Sequence, residues 1–240
     1  MDSEFNRISR RGFVRAVSLG GSALFVGVHQ PLLAWQKAKQ SAEQKGEEEV
    51  GPAEDLMREH GVLKRILLIY EEARRRISAR QDFPPATIVD SAHIIRSFIE
   101  EYHERLEEDH LFPRFRKAGK LVELVDTLTT QHNVGRTVTT RILSLAQSPS
   151  LNKAEEREKL SQQLEAFIRM YSPHEAREDT VLFPELHKII SRNEYDSLGE
   201  QFERVEHQQF GEEGFEGMVE RVAAIEKQLG IYDLAQFTPK

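Results

Sequence analysis

The stretch His103-Glu104-Arg105-Leu106-Glu107-Glu108-Asp109-His110-Leu111-Phe112-Pro113 returns later in the chain as His174-Glu175-Ala176-Arg177-Glu178-Asp179-Thr180-Val181-Leu182-Phe183-Pro184. The first, second, fifth and last three positions are identical. Another histidine stands upstream of each copy at nearly the same distance, in His60-Gly61-Val62 and His132-Asn133-Val134. Chance would not preserve the His-x-x-x-Glu element, its Leu-Phe-Pro tail and the spacing to a partner histidine together, so the whole unit is duplicated.

Each unit reads as a helical hairpin. Leu56, His60, Leu63, Leu67 and Tyr70 recur at helical spacing and predict a first helix over about residues 54–80. Pro84 and Pro85 mark the turn, and Ile95, Phe98, Tyr102, Leu106 and His110 trace a second helix that ends or kinks near Pro113. Leu121, Leu124, Leu128, His132 and Thr139 trace a third, broken at Ser148-Pro149-Ser150; Leu160, Leu164, Phe167, Tyr171, His174 and Glu178 trace a fourth. Four long helices on short loops predict an all-α fold, an antiparallel up-down four-helix bundle over residues 54–190. Residues 191–240 read as a C-terminal extension of further helices, one starting near Asn193, with an apolar tail at Ile231–Phe237 that docks on this protein or a partner.

Residues four apart share a helix face, so His103 with Glu107, and His174 with Glu178, each present an imidazole and a carboxylate in the same direction, on an otherwise apolar stripe. Burying an ionised carboxylate costs several kcal/mol unless it is paired or bound to metal. Nitrogen and carboxylate oxygen without sulfur suit iron, with manganese and zinc as alternatives. His29, His93 and His187 have no partner in the repeat and read as ordinary residues, the charged run Tyr70–Arg76 reads as a solvated helix end, and Tyr102 and Tyr171 read as core, each within reach of a histidine.

The ordered pattern His, His-x-x-x-Glu with Leu-Phe-Pro, His, His-x-x-x-Glu with Leu-Phe-Pro resembles the hemerythrin-like (HHE) cation-binding domain. That resemblance implies two iron ions, with His60, His103, His132 and His174 as terminal ligands and Glu107 and Glu178 as bridges. Hemerythrins proper carry a fifth histidine one turn after the one on the third helix, where this chain has Arg136. Either one ion keeps a more open coordination sphere or another histidine completes it. His110 and His207 are the candidates, and the rise of the later helix favours His207, bringing it back to the level of His174. The implied function is reversible binding of dioxygen or nitric oxide. The alternatives are a di-iron oxidase, peroxidase or nitric-oxide-handling enzyme, an iron-sulfur-repair-like protein, and a metal-free helical interaction module.

Composition narrows the field further. The net charge of -7 offers no basic field for gathering phosphates, so no nucleic-acid partner is expected. Zero cysteines exclude disulfides, a thiolate nucleophile and Cys-ligated metal. At the N-terminus, Ser9-Arg10-Arg11-Gly12-Phe13 precedes an uncharged run from Ala16 to Val28 and resembles a twin-arginine export signal. The run is shorter than the roughly 20 residues of a spanning helix, so stable membrane insertion after signal removal is not expected. The expected organisation is an export signal over 1–34, a polar linker over 35–53, the bundle, and the extension, in a periplasmic or otherwise exported protein.

Overall fold

The computed structural model describes residues 50–211 and 214–239. The expected export signal and most of the linker lie outside the described residues, as does His29.

Among the described residues there are six helices and no strand. Helix α1, Pro52–Ser78, begins with proline at its first turn, where a missing N–H costs nothing, and carries Glu54 and Asp55 against the positive end of its dipole. Helix α2 runs unbroken over residues 85–118, α3 is Val122–Ala146, and α4 runs unbroken over residues 154–189. Each packs against the next, and α1 packs along α4 to close the ring, which is the up-down order that short loops predict. Helix α5, Arg192–Phe210, starts on Ser191, whose hydroxyl accepts a hydrogen bond from the Glu194 N–H. Helix α6, Gly214–Leu229, lies across α1 and α2. None of these helices is long and apolar enough to cross a membrane.

The second helix does not end at Pro113. It passes through that residue, as the fourth passes through Pro184, because the chain widens into a π segment just before each: Glu107–Leu111 and Glu178–Leu182. A proline in a helix leaves the carbonyl four residues back without a donor and pushes against it. A wider turn relieves that crowding, and such bulges recur at functional sites. Both begin at the glutamate of a His-x-x-x-Glu element. A third π segment, Ile95–His103, precedes the first copy.

The core is aliphatic and aromatic, with Leu56, Ile66, Tyr70, Phe98, Phe115, Phe167 and Phe202 among its fully buried members. Each such side chain contributes about 1.5–3 kcal/mol by leaving water. In the tail, Tyr232, Leu234 and Phe237 stay exposed around a short 3-10 turn, Leu234–Phe237.

Candidate metal centre

Helices α1 to α4 each deliver one histidine to the middle of the bundle, and α2 and α4 add a glutamate each. His60, His103, His132, His174, Glu107 and Glu178 are between 0 and 4% exposed. The His60 Nε2 lies 3.3 Å from one Glu178 oxygen and the His174 Nε2 lies 3.1 Å from the other. Across from them, a Glu107 oxygen lies 3.8 Å from His103 Nε2 and 3.5 Å from His132 Nε2. Each glutamate therefore spans one histidine from each repeat. The His132 and His174 Nε2 atoms approach to 3.2 Å.

The outward nitrogens explain why the inward ones offer lone pairs. Every Nδ1 faces an acceptor: Asp179 at 2.7 Å from His60, Glu59 at 2.7 Å from His103, Glu108 at 3.0 Å from His132 and the Gln131 Oε1 at 2.8 Å from His174. An Nδ1–H donated outward leaves Nε2 as the lone-pair atom, the tautomer that metal ligation uses. These four holders follow the repeat. The residue before each solitary histidine holds the second histidine of its own unit, and the residue after each central glutamate holds the solitary histidine of the other unit.

A third layer lies outside the holders. The Arg136 guanidinium reaches Glu104 at 2.8 Å and Glu108 at 2.7 Å, and Lys64 reaches Glu175 at 3.1 Å. Tyr171 donates to Glu104 at 2.6 Å and Tyr102 to Glu59 at 3.1 Å. Arg136, at the place of a fifth histidine, is thus committed to two carboxylates.

The arrangement passes a chemical test of fit to cations. His60 Nε2, His103 Nε2 and both oxygens of Glu107 and of Glu178 are buried without a hydrogen-bond partner. Burial, together with the charge of Glu178, drives the Glu107 carboxyl well above the usual range. Burial pushes Glu178 the same way but is outweighed by His174 and His60, which hold it well below. Burial disfavours a charged His60 imidazole, but its hydrogen bond to Asp179 and the facing charge of Glu178 push it up to about 9, a proton that a cation at Nε2 would replace. Two carboxylates that cannot both ionise alone, ringed by imidazole nitrogens, are what positive ions would satisfy. Among the described residues, donor atoms close enough to share an ion form three groups: His60 with His103 and Glu178, His132 with His174 and Glu178, and, on the outer side of His132, Glu104 with Glu108 and His132.

The structure does not bring His207 to this cluster. Leu198, Phe202 and Glu206 form the buried face of α5, and His207, one position on, turns about 100° to the exposed side. Helix rise gave its level along the bundle, not its angle. His110 is half-buried against Phe202, 3.4 Å from the Gln201 amide, and also stays outside. His93 and His187 are exposed, as ordinary residues would be. Sequence reasoning missed the holders Glu59, Glu108, Gln131 and Asp179, although each occupies the same place in both repeats.

On the α2–α3 face a cleft of about 200 Å³ is lined by Arg105, Glu108, Phe112, Arg116, Thr129, Asn133 and Arg136. Two of its walls reach the cluster directly, since Phe112 stacks on the His132 ring at 5.5 Å and Glu108 holds its Nδ1.

A family model described as the hemerythrin HHE cation binding domain matches residues 51–186. Uncharacterized proteins of Mycobacterium bovis and of two Mycobacterium tuberculosis strains are each 52% identical over 186 residues, covering 78% of this chain and 73% of the relative. No solved structure matches the chain.

Proposed function

From the premise that this chain belongs to the hemerythrin HHE cation binding family, we propose that its bundle holds two non-haem iron ions and uses them to bind a diatomic ligand, dioxygen or nitric oxide. The observation that carries this reading is the convergence of four imidazole Nε2 atoms on two buried, otherwise unsatisfied carboxylates. His60 and His103 would hold one ion, His132 and His174 the other, and Glu107 and Glu178 would bridge them. An iron pair supplies open coordination positions and electrons to a bound ligand.

The rest falls to the chain's own side chains. The four outer acceptors keep the imidazoles in register and in the ligating tautomer. The apolar shell, with Phe183 stacked on His60 and Phe112 on His132, keeps bulk water away. The α2–α3 cleft brings open space up to Phe112 and Glu108, both of which contact His132. Arg136 cannot ligate, which supports an open position rather than a fifth histidine. The Arg10-Arg11 motif and its apolar run support export as a folded protein.

The test is metal content and optical spectroscopy on protein purified without added metal, then reduced and exposed to dioxygen or nitric oxide. Two irons per chain with reversible, ligand-dependent absorption bands are expected. No iron, or a single zinc, overturns the reading, while steady turnover of peroxide or nitric oxide would move it from carrier to enzyme. Fractionation of cells making the full chain and its Arg10→Lys/Arg11→Lys variant tests export, with retention of the variant inside the cell expected.

A further inference from the structure

Resting on the two-iron reading, we propose that the half-sites are unequal, and that Glu59 makes the His60/His103 half the tighter and first to take a metal ion. The inner ligands of the two halves are alike: two imidazoles each, and the shared Glu107 and Glu178. The difference lies one bond further out. Behind His103 stands a carboxylate, with Glu59 Oε2 at 2.7 Å from Nδ1; behind His174 stands a neutral amide, with Gln131 Oε1 at 2.8 Å. The other two histidines do not differ in this way, since His60 is held by Asp179 and His132 by Glu108, both acids.

A carboxylate that accepts the Nδ1–H raises the basicity of the opposite nitrogen, and with it the strength of the Nε2–metal bond. An amide does so less. Glu59 is 1% exposed and is also held by the Tyr102 hydroxyl, so it is aimed at His103 and little screened by water.

The surrounding charges run the same way. On the other half, Arg136 sits against both Glu104 and Glu108 and offsets their charge close to His132. Its repeat counterpart, Lys64, makes a single contact to Glu175 with a side chain 63% exposed, so its charge is largely screened. Arg136 therefore offsets the carboxylates beside His132 more strongly than Lys64 offsets Glu175 on the His60/His103 half. Glu59 touches no metal in this scheme; it is a positioning residue acting through His103.

The experiment is a calorimetric and optical titration of the metal-free full chain with Co²⁺, a probe that fills His/carboxylate sites without redox chemistry. Wild-type protein should bind two ions in two resolved steps. Glu59→Gln, which keeps the shape and a hydrogen-bond acceptor, should weaken the tighter step about 10-fold or more and leave the weaker one in place. Gln131→Glu should strengthen the weaker step by a comparable factor and bring the two together. That gain would not follow from a purely structural role, and it keeps the proposal testable should Glu59→Gln fail to fold. The proposal is overturned if Glu59→Gln leaves the tighter step unchanged or shifts both equally, or if Gln131→Glu leaves the weaker step where it was. Fewer than two ions on the wild-type chain overturns the underlying two-metal reading instead, a result recognisable before any variant is compared.

Discussion

The two repeats share their inner residues and diverge in what stands behind them. In the first unit Tyr102 turns to Glu59 of its own unit, and in the second Tyr171 crosses to Glu104 of the other. The cause is visible three residues after each solitary histidine. The second unit has Gly135 there, with no side chain in the path of the Tyr171 hydroxyl, whereas the first has Leu63, fully buried. The C-terminal extension adds to the asymmetry, because α6 lies along α1 and α2, Phe210 packs on Tyr102 and Phe98, and the Glu226 carboxylate pairs with Arg65 of α1. A duplicated framework thus keeps the ring of histidines and glutamates fixed while its supports drift, and the supports are where the two halves differ.

The symmetry of the framework is most severely tested at the two phenylalanines of Leu-Phe-Pro. Phe183 stacks on His60 and Phe112 on His132, each reaching across to the other repeat, and both are fully buried. Phe112→Ala and Phe183→Ala should each destabilise the metal-free protein by about 3–5 kcal/mol in denaturant unfolding. Matching losses are expected; a near-neutral effect at either position breaks the equivalence.

At the glutamates the effect should appear mainly in the metal-loaded protein. Glu107→Ala and Glu178→Ala each remove a carboxylate that faces one histidine of both halves, so each should lose at least one ion. The stabilisation conferred by metal should then shrink by up to about 3 kcal/mol at metal concentrations 100 times Kd. Full metal content in either variant would remove the bridging assignment.

The helical bundle and the six inner residues were legible in the sequence because both depend on spacing. Apolar residues at helical period give α1 to α4, and a His-x-x-x-Glu pair on such a stripe must point inward. The π segments were not legible, since Pro113 and Pro184 read equally well as helix ends, and only packing on both sides keeps those helices running. The holders were hidden by their own chemistry. Glu59 and Glu108 look like ordinary helix charges, and only alignment of the repeats one residue beyond each ligand would have singled them out. His207 failed for a different reason: its height followed from helix rise, but its direction depends on which face α5 buries.

Tyr171 offers a sharper probe of the second unit. A Cβ on Gly135 would lie 2.1 Å from the Tyr171 hydroxyl oxygen and 2.8 Å from the ring carbon that bears it. Gly135→Ala should therefore force the hydroxyl off Glu104 and cost about 1–3 kcal/mol despite the better helix propensity of alanine. Adding Tyr171→Phe should recover part of that loss, because the closest clash is with the oxygen. An unchanged unfolding midpoint for Gly135→Ala would show that the tyrosine has another low-energy position.

The first unit supplies the opposite sign at Gly61. This residue follows His60 inside α1, on the exposed side, and a Cβ there would meet nothing within 4 Å. Its helical backbone asks for no special conformation, so the glycine contributes only extra freedom to the unfolded chain. Gly61→Ala should stabilise the protein by about 0.5–1 kcal/mol, with metal content unchanged, because the His60 ring projects to the other face of the helix. Unfolding curves of metal-free and metal-loaded protein check both statements. A stabilisation present in both would mark Gly61 as packing-neutral. A loss of metal with the same substitution would mean that the backbone beside His60 must flex for the ion to enter, a requirement to which Gly135, clamped against Tyr171, has no counterpart.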